Sequence, residues 1–355
     1  MSNVSYVRTE MLQEQTPPVN QTGIVLWLRE NMFSSIGNSL LTIVSGVAIY
    51  MVLAFIVPWM WQSSWTANSL GECREIIAHT YGEGTEGACF SVITERYHQL
   101  LFGFYPSELY WRPILAFVLL LAAIAPVLFP GIPSKYLGFS ALYPFIAFWL
   151  IWGGSLWVPL AAIFGFALAY AAAVYLPAVI GSLGSVVAAL LLPLLWWLFL
   201  AGSTADALQD LLPLSIQAVE SINIGGFTLS VMIGVTGITL SLPIGILLAL
   251  GRQSNLFVVK TICVGFIEFI RGVPLITLLF VASTLLNYFM PPGTSFDLIL
   301  RVMIMVTLFA SAYMAEVIRG GLAALPTGQY EAADALGLDY WKATRLIIMP
   351  QALKI

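Results

Sequence analysis

Two acid–base pairs stand in otherwise apolar sequence and have the residue types to do chemistry there. Glu268 and Arg271, and likewise Glu316 and Arg319, are three residues apart, so each pair would share one face of a helix. Ionisable groups inside a membrane segment are costly and usually functional. Both pairs also lie toward predicted helix ends, where snorkelling or an ordinary ion pair would account for them. Ser311, on the same predicted helix as Glu316, would either line a pore or join helices through a hydrogen bond.

A polar island from Glu331 to Pro350, EAADALGLDYWKATRLIIMP, is too polar to span a bilayer. Thr327 is predicted to cap a short helix that ends before Gly337, a residue able to take the left-handed conformation that closes a helix. Asp339 is predicted to cap a second short helix. The island is therefore predicted to be a two-helix knob that faces water and another protein. The alternative is an amphipathic pair of helices lying on lipid headgroups.

The composition around these residues is that of a membrane protein. Of the 355 residues, 59% are hydrophobic and 9% are charged, and the mean hydropathy is +0.91. No charged side chain occurs between Lys135 and Asp206, which leaves room for about three spanning helices of about 20 residues each. The net charge of −4 is small and spread over many loops, so no nucleic-acid partner is expected. The predicted fold class is an all-α polytopic membrane protein in contact with membrane lipid.

Hydropathy predicts eight crossings, and the positive-inside rule places the N-terminus in the cytoplasm because most Lys and Arg then fall on that side. The chain is predicted to divide into a cytoplasmic N-terminal segment 1–37, a transmembrane extension 38–205 with an external loop 62–111, and a second part 222–355. A cytoplasmic loop 320–350 in the second part contains the polar island. The predicted crossings are 38–58, 112–130, 137–153, 156–176, 180–201, 226–250, 261–288 and 298–318.

The cysteines are of two kinds. Cys263 lies in an apolar segment and is predicted to be a small packed residue. Cys73 and Cys89 lie in the polar 62–111 loop, where an extracytoplasmic location would allow a disulfide; the alternative is two reduced or exposed thiols. No cluster of ligands surrounds them, so no metal site is predicted, and no catalytic residue is assigned.

The spacing within the polar island resembles the EAA motif of ABC importer permeases. Glu331-Ala332-Ala333 is followed after three residues by Gly337, then after nine residues by Ile347, and then by Met349 and Pro350. The family has leucine where this chain has Met349, a substitution that keeps size and apolarity.

Two further segments resemble signatures of the polar amino acid uptake branch of that family. They are EFIRGVPL, which begins at Glu268, and SAYMAEVIRGG, which begins at Ser311. The resemblance is greatest to the general L-amino acid permeases of Gram-negative bacteria. It implies a type I ABC importer permease core with extra N-terminal transmembrane helices, in the bacterial inner membrane. The family continues through further helices after the EAA loop, so the chain, which stops at Ile355, is expected to be truncated.

The resemblance implies a function. In the family the EAA loop forms a coupling helix that docks onto a cytoplasmic ATPase subunit, and this chain has no G-x-x-x-x-G-K-[ST] phosphate-binding loop of its own. The implied protein is a permease and not an enzyme, served by a second permease subunit, an ATPase dimer and a periplasmic amino-acid-binding protein. No cofactor is expected on this chain, with ATP and Mg on the partner ATPase. L-amino acids would cross by alternating access.

The resemblance also implies roles for individual residues. Glu268, Arg271, Ser311 and Glu316 are candidates for the substrate path and pore. Among them Glu316 could pair with the ammonium group of an amino acid, which needs a carboxylate partner. Arg319 is expected to be structural. The residues expected to couple the permease to the ATPase are Glu331, Ala332, Ala333, Asp334, Gly337, Leu338, Tyr340 and Pro350.

Two other classes of function are compatible with parts of the sequence. An ion-gradient-driven secondary amino acid transporter would use Glu268 or Glu316 as its proton or sodium site. A membrane receptor or assembly protein would sense through the loop that carries Cys73 and Cys89, although the chain shows no signalling domain. The predicted knob favours the ATP-driven importer, because a secondary carrier has no reason to project two paired helices into the cytoplasm.

Overall fold

The structure is a computed structural model that describes residues 23–285, 288 and 297–354. Part of the predicted N-terminal segment, residues 286 and 287 of the predicted 261–288 crossing, and Ile355 lie outside the described residues. The chain forms two compact units, 1–97 and 98–355. The boundary predicted between 205 and 222 therefore lies inside the second unit.

The first unit carries one long apolar helix and a small folded segment after it. This helix, α2 Ile36–Trp61, has side chains that are exposed or partly exposed along its whole length, as expected of a helix that is apolar all round and spans a membrane. Its first turn is capped by the Ser35 hydroxyl, which accepts a hydrogen bond from the backbone N–H of Asn38 at 3.2 Å. The helices are α1 Gly23–Asn31, α2 Ile36–Trp61, α3 Leu70–Tyr81 and α4 Ser91–Phe102, the last of which contains the unit boundary.

A disulfide closes the folded segment of the first unit. Cys73 on α3 is joined to Cys89, with their Cα atoms 6.0 Å apart. The Cys73 side chain is fully buried and packs with Ala67 and Ile77. The predicted pairing of the two cysteines in the external loop is thus present in the structure, and it is a bond typical of an oxidising compartment.

Replacing both Cys73 and Cys89 with serine is expected to destabilise this segment by about 3 kcal/mol, the typical value for a disulfide that closes a loop of about 15 residues. The cysteines are 16 residues apart. The check is the rate of proteolytic cleavage between residues 62 and 97 in membranes that contain the full chain. Cys263→Ser, which alters the free cysteine outside this unit, is the control and should leave the rate unchanged. Equal rates in all three proteins would contradict the prediction.

The second unit is a helical bundle with one short two-stranded sheet. The strands β1 Gly154–Ser155 and β2 Ser215–Ile216 pair antiparallel. The longer helices are α5 Trp111–Leu128, α6 Leu137–Trp152, α7 Trp157–Tyr175, α8 Pro177–Leu195, α9 Ala201–Leu211, α10 Gly226–Gln253, α11 Phe257–Gly272, α12 Leu275–Thr284 and α13 Leu298–Ala324. The short helices near the C-terminal end are α14 Gly328–Ala335, α15 Tyr340–Ala343 and α16 Met349–Ala352, with a π-helical turn Thr344–Ile348 between the last two.

Loops at one end of this bundle are fastened to each other. The Tyr105 hydroxyl donates to the carbonyl of Ile151 at 2.7 Å, and the buried Arg112 donates through Nη1 to the carbonyl of Gln217 at 2.6 Å. Together with the β1–β2 pair, these bonds join the segment before α5, the ends of α5 and α6, and the segment that follows α9.

The predicted crossings differ from the structure at two places. Among the described residues, six helical segments are long and apolar enough to span a membrane, and the 16-residue α6 is shorter than the usual length. The predicted single crossing 261–288 is instead two helices, α11 and α12, bent by 100°. The break lies at Val273 and Pro274, where proline has no N–H to continue the helical hydrogen bonds.

The other end of the bundle is held by small and aliphatic side chains. Helices α10 and α13 approach closely, since a Cβ on Gly245 would lie 2.8 Å from the Met314 side chain. Beyond this approach lies an apolar cluster to which α10, α11, α13 and the short C-terminal helices all contribute. Its buried members are Ala249, Ile267, Ala315, Ile318, Leu322, Leu325, Ile348, Met349 and Ala352.

Candidate functional site

The polar island folds as two short helices closed by a glycine turn. We call residues 328–352 the knob. Helix α14 ends at Ala335 with Leu336 as its C-cap, and Gly337 takes the left-handed conformation with φ +66°. The Gly337 N–H donates to the Asp334 carbonyl at 2.9 Å, and the Leu338 N–H donates to the Ala333 carbonyl at 3.1 Å. These two bonds form a Schellman motif, so Gly337 closes the helix as its sequence position predicts.

Asp339 caps the second helix, and Thr327 does not cap the first. The Asp339 carboxylate accepts a hydrogen bond from the Lys342 backbone N–H at 2.9 Å and lies 3.1 Å from the Lys342 ammonium. Thr327 has helical backbone angles, φ −56° and ψ −31°, and its hydroxyl makes no capping hydrogen bond within the described structure. The predicted Thr327 cap is therefore wrong, because an N-cap residue needs an extended backbone to turn its oxygen toward the helix.

The knob should lose part of its second helix at acid pH. The hydrogen bond from the Lys342 backbone N–H and the adjacent Lys342 side chain hold the pKa of Asp339 below its usual value of 3.8. A carboxyl group with a lowered pKa in the folded state stabilises that state above its unfolded pKa, and loses this contribution as pH falls through the folded pKa. Amide hydrogen exchange at Lys342, after correction for intrinsic rates, should therefore accelerate below about pH 4. Asp339→Asn keeps a capping oxygen without the charge, so its exchange should not show this pH dependence.

The knob turns one side to the helix ends and leaves the other free. Ala333 is buried, whereas Leu336, Tyr340, Trp341 and Leu346 are large and mostly exposed. Leu338 is half-buried. The remaining predicted coupling residues, Glu331, Ala332, Asp334, Gly337, Tyr340 and Pro350, are exposed. An exposed apolar and aromatic surface bordered by carboxylates is typical of a protein-binding site.

The inner side of the knob is attached to α13 by close backbone packing. A Cβ on Gly321 would overlap the carbonyl oxygen of Ala352, so α13 approaches the knob at a position open only to glycine. The Gln351 side chain also donates to the Gln329 side-chain oxygen at 3.1 Å, which ties the end of the knob to its beginning. The knob and the end of α13 are therefore joined by direct contact.

Charged residues from three helices meet beside the apolar cluster. We call this group of Arg252, Glu268, Arg271, Glu316 and Arg319 the ion-pair hub. Arg252 Nη1 lies 2.9 Å from Glu268 Oε1 and 3.2 Å from Glu316 Oε2, and Arg271 Nη1 lies 3.5 Å from Glu316 Oε2. Arg319 Nε donates to Glu316 Oε1. Glu316 is thus in contact with three guanidinium groups, one each from α10, α11 and α13.

The hub rearranges the pairs that the sequence suggested. Glu316 and Arg319 pair along one helix face as predicted. Glu268 and Arg271 share a helix, yet among the described residues the first pairs with Arg252 and the second with Glu316. Arg252 belongs to neither of the two pairs that the sequence spacing suggested. Its position in the last turn of α10 was the available signal, but its partner Glu316 is 64 residues away.

The contacts in the hub disfavour direct binding of a cation or a substrate ammonium group by Glu316. The Glu316 side chain is 18% exposed, and both of its oxygens contact guanidinium groups. A cation or an ammonium group would have to displace an arginine to reach it. Arg271 lies over the Tyr313 ring at 5.5 Å, and its buried Nε has no hydrogen-bond partner in the part of the chain that the structure describes.

Ser311 belongs to helix packing in this structure. Its side chain is fully buried, and its hydroxyl donates to the Thr307 carbonyl at 2.6 Å on the same helix. The structure therefore does not bring Ser311 into the hub. Over the described ranges, the histidine, cysteine and acidic side chains form no group of three or more that could hold a metal ion.

The chain is similar in sequence to known transport permeases. Residues 241–355 match the family model "Binding-protein-dependent transport system inner membrane component". The glutamate/glutamine/aspartate/asparagine transport system permease protein BztC of Rhodobacter capsulatus is 56% identical, with the alignment covering 100% of this chain and 82% of the relative. The inner membrane amino-acid ABC transporter permease protein YhdY of Escherichia coli K12 is 37% identical over 95% of this chain and 74% of the relative.

A crystal structure of an amino acid ABC transporter with histidines is 32% identical over 35% of this chain and 57% of that chain, with a TM-score of 0.32, and supports no statement about helix arrangement. The two long relatives match the first unit and the second alike, because they cover 100% and 95% of the chain. The family model covers the hub and the knob. The chain therefore belongs to the binding-protein-dependent transport permeases, as an inner-membrane permease subunit of the amino acid ABC transporter type that works with a separate ATPase and a substrate-binding protein.

Proposed function

We propose that the chain imports polar amino acids, among them glutamate, glutamine, aspartate and asparagine, by alternating access. The Rhodobacter capsulatus relative is named for these four substrates, and its alignment covers the whole of this chain. The individual substrates are part of the proposal, since a binding protein selects what reaches the permease. The ion-gradient alternative is not favoured by the relatives, and the acids it would need are engaged by arginines in the hub.

The knob is the single observation that carries the proposal. Its Schellman turn at Gly337 fixes the direction of both helices, and its outer side exposes Leu336, Tyr340 and Trp341. Its inner side packs on the helix ends through Ile348 and the apolar cluster. A projecting, rigid element of this kind fits a role as the coupling helix that an ATPase subunit would hold and displace.

The predicted coupling residues divide by position in the knob. Gly337 and Leu338 make the turn, Ala333 packs inward, and Pro350 lies in the return to the helix ends. The exposed side chains proposed to contact the ATPase are Glu331, Asp334, Leu336 and Tyr340. For the substrate path, Glu268, Arg271 and Glu316 would act as parts of the hub, and the buried Ser311 would act in packing.

The complete importer would contain an ATPase dimer, a second permease subunit and a periplasmic amino-acid-binding protein. ATP and Mg would bind to the ATPase subunits. ATP would shift the permease between inward- and outward-open states only by favouring one of them, since a ligand that binds two states equally shifts neither. The knob would transmit that preference to the pore.

The proposed orientation places the knob and the N-terminal segment 1–37 in the cytoplasm. The disulfide in the 62–111 loop supports a periplasmic location for that loop, because disulfides persist in oxidising compartments. Segment 38–205 would be a transmembrane extension and 222–355 the permease core with its coupling loop. A cysteine-labelling experiment from either side of the membrane, at Ser2 and at Glu83, tests this orientation.

The test is reconstitution of the permease with its ATPase, its second permease subunit and its binding protein in proteoliposomes. ATP-dependent uptake of glutamate, glutamine, aspartate and asparagine is expected, together with stimulated ATP hydrolysis. Uptake that persists without ATP, and that stops when ion gradients are collapsed, would refute the ATP-driven mechanism. Uptake of other amino acids in place of these four would refute the proposed substrate range alone.

A further inference from the structure

One packed cluster includes residues of the knob and the sequence neighbours of hub residues. The hub residues and the members of the apolar cluster alternate along the same helices: Ala315 adjoins Glu316, and Ile267 adjoins Glu268. The knob contributes Ile348, Met349 and Ala352 to that cluster. Because packed interiors transmit displacement and do not absorb it, a movement of the knob must reach the helix ends that carry the hub.

The contacts within the hub are of a length that small helix movements would make or break. The distances from Arg252 and Arg271 to the two acids run from 2.9 to 3.5 Å. Helix shifts of about 1–2 Å are typical of switching transitions. A shift of that size along α10 or α11 would carry one or more of these pairs beyond the 4.0 Å of an ion pair.

The hub also fixes the end of α11. Arg271 is the residue before Gly272, at which α11 ends, and the chain then bends by 100° into α12. The contact of Arg271 with Glu316 therefore ties the bend to α13, the helix that continues toward the knob. Arg252 ties the end of α10 to both α11 and α13.

We propose that the ion-pair hub is a latch that transmits displacement of the knob to the ends of α10 and α11, with Arg252 and Glu316 as its positioning residues. The proposal rests on the proposed function, because it assigns a step within ATP-driven transport. In this arrangement the latch holds the three helix ends together. Release and re-formation of its ion pairs accompany the change between the two states of the pore.

The geometry predicts which replacements of Arg252 the latch tolerates. Both of its contacts are made through one atom, Nη1. A lysine ammonium also provides a single charged centre with several donors, so Arg252→Lys keeps the essentials of both pairs. Arg252→Gln removes the charge while keeping a polar side chain.

The experiment measures amino acid uptake and ATP hydrolysis together in proteoliposomes that contain the complete importer. For Arg252→Gln, uptake per ATP hydrolysed is expected to fall about tenfold, and Arg252→Lys should retain more than about half of the wild-type ratio. Arg74→Gln, an exposed arginine on α3 outside the hub, is the control and should keep the wild-type ratio. Glu268→Gln, which removes one of the two partners of Arg252, should lower the ratio about two- to threefold.

An unchanged ratio for Arg252→Gln, or equal losses for the glutamine and lysine variants, would overturn the latch. If Arg252→Gln does not insert into the membrane, the Glu268→Gln variant tests the latch. An unchanged uptake per ATP hydrolysed for Glu268→Gln would also overturn the latch. Measuring the wild-type complex distinguishes a failure of the latch from a failure of the proposed function. If wild-type liposomes show no ATP-driven uptake, the proposed function fails, whereas a latch failure appears only in the variants.

Discussion

Gly321→Ala is expected to detach the knob from α13 and to weaken ATPase association by about tenfold or more. The new Cβ would overlap the backbone carbonyl oxygen of Ala352, which no side-chain rotation can relieve. Forcing extra atoms into a packed contact typically costs about 1–3 kcal/mol, and about 1.4 kcal/mol corresponds to a tenfold change in an equilibrium constant. The measurement is retention of the ATPase by the permease complex purified in detergent, followed by ATP-driven uptake.

The adjacent glycine supplies a matched control. Gly320 is on the same helix, and a Cβ there would have open space around it. Alanine is favoured over glycine inside a helix by about 1 kcal/mol, so Gly320→Ala should be neutral or slightly stabilising. If both variants retain the ATPase equally well, the close approach of α13 to the knob does not position it. If both lose the ATPase, the cause is a change in α13 itself.

The sequence predicted the knob well because its structure is local. Gly337 and Asp339 act on backbone groups within a few residues, and both take the roles that their types favour at those positions. The prediction for Thr327 was wrong because the preference of threonine for capping positions does not determine its backbone angles. In this structure Thr327 itself has helical φ and ψ angles. Local sequence preferences therefore predicted the turn at Gly337 but not the start of helix α14.

The hub could not be predicted in the same way. Its central contact joins Arg252 to Glu316, which are 64 residues apart, and depends on how α10 packs against α13. Glu268 and Arg271 do share one helix, but each of them contacts a charge on a neighbouring helix in place of the expected pair. Spacing along one helix identifies which charges share a face. It does not identify which residues of neighbouring helices that face contacts.

The bend between α11 and α12 had a partial signal in the sequence. Pro274 favours an interruption of the helix, because it lacks an N–H and disfavours helical geometry in the preceding residue. Hydropathy alone nevertheless reads 261–288 as one apolar crossing. The structure shows a 100° bend there, next to the contact of Arg271 with Glu316 on another helix. Apolarity therefore located this membrane segment but not its bend.

Gly337→Val is expected to open the turn between the two knob helices while the chain still inserts into the membrane. Gly337 has φ +66°, a conformation that costs about 1–2 kcal/mol for a residue with a side chain, and more for a β-branched one. Relief of that strain would break the hydrogen bonds from Gly337 to Asp334 and from Leu338 to Ala333. Leu336 and Tyr340, on either side of the turn, would then no longer present one surface. ATPase association is therefore expected to fall about tenfold or more, for about 1.4 kcal/mol lost.

Gly337→Asn separates backbone strain from other effects of adding a side chain. A Cβ at Gly337 meets open space, so neither replacement creates a clash. Asparagine adopts the left-handed conformation far more readily than valine, so Gly337→Asn should keep most ATPase binding and uptake. Insertion is checked by membrane fractionation of both variants. If the valine and asparagine variants lose ATPase binding equally, the ATPase contacts the surface at Gly337 itself. If neither variant loses ATPase binding, the conformation of the turn does not matter for coupling, because a strained turn and an unstrained turn would then work equally well.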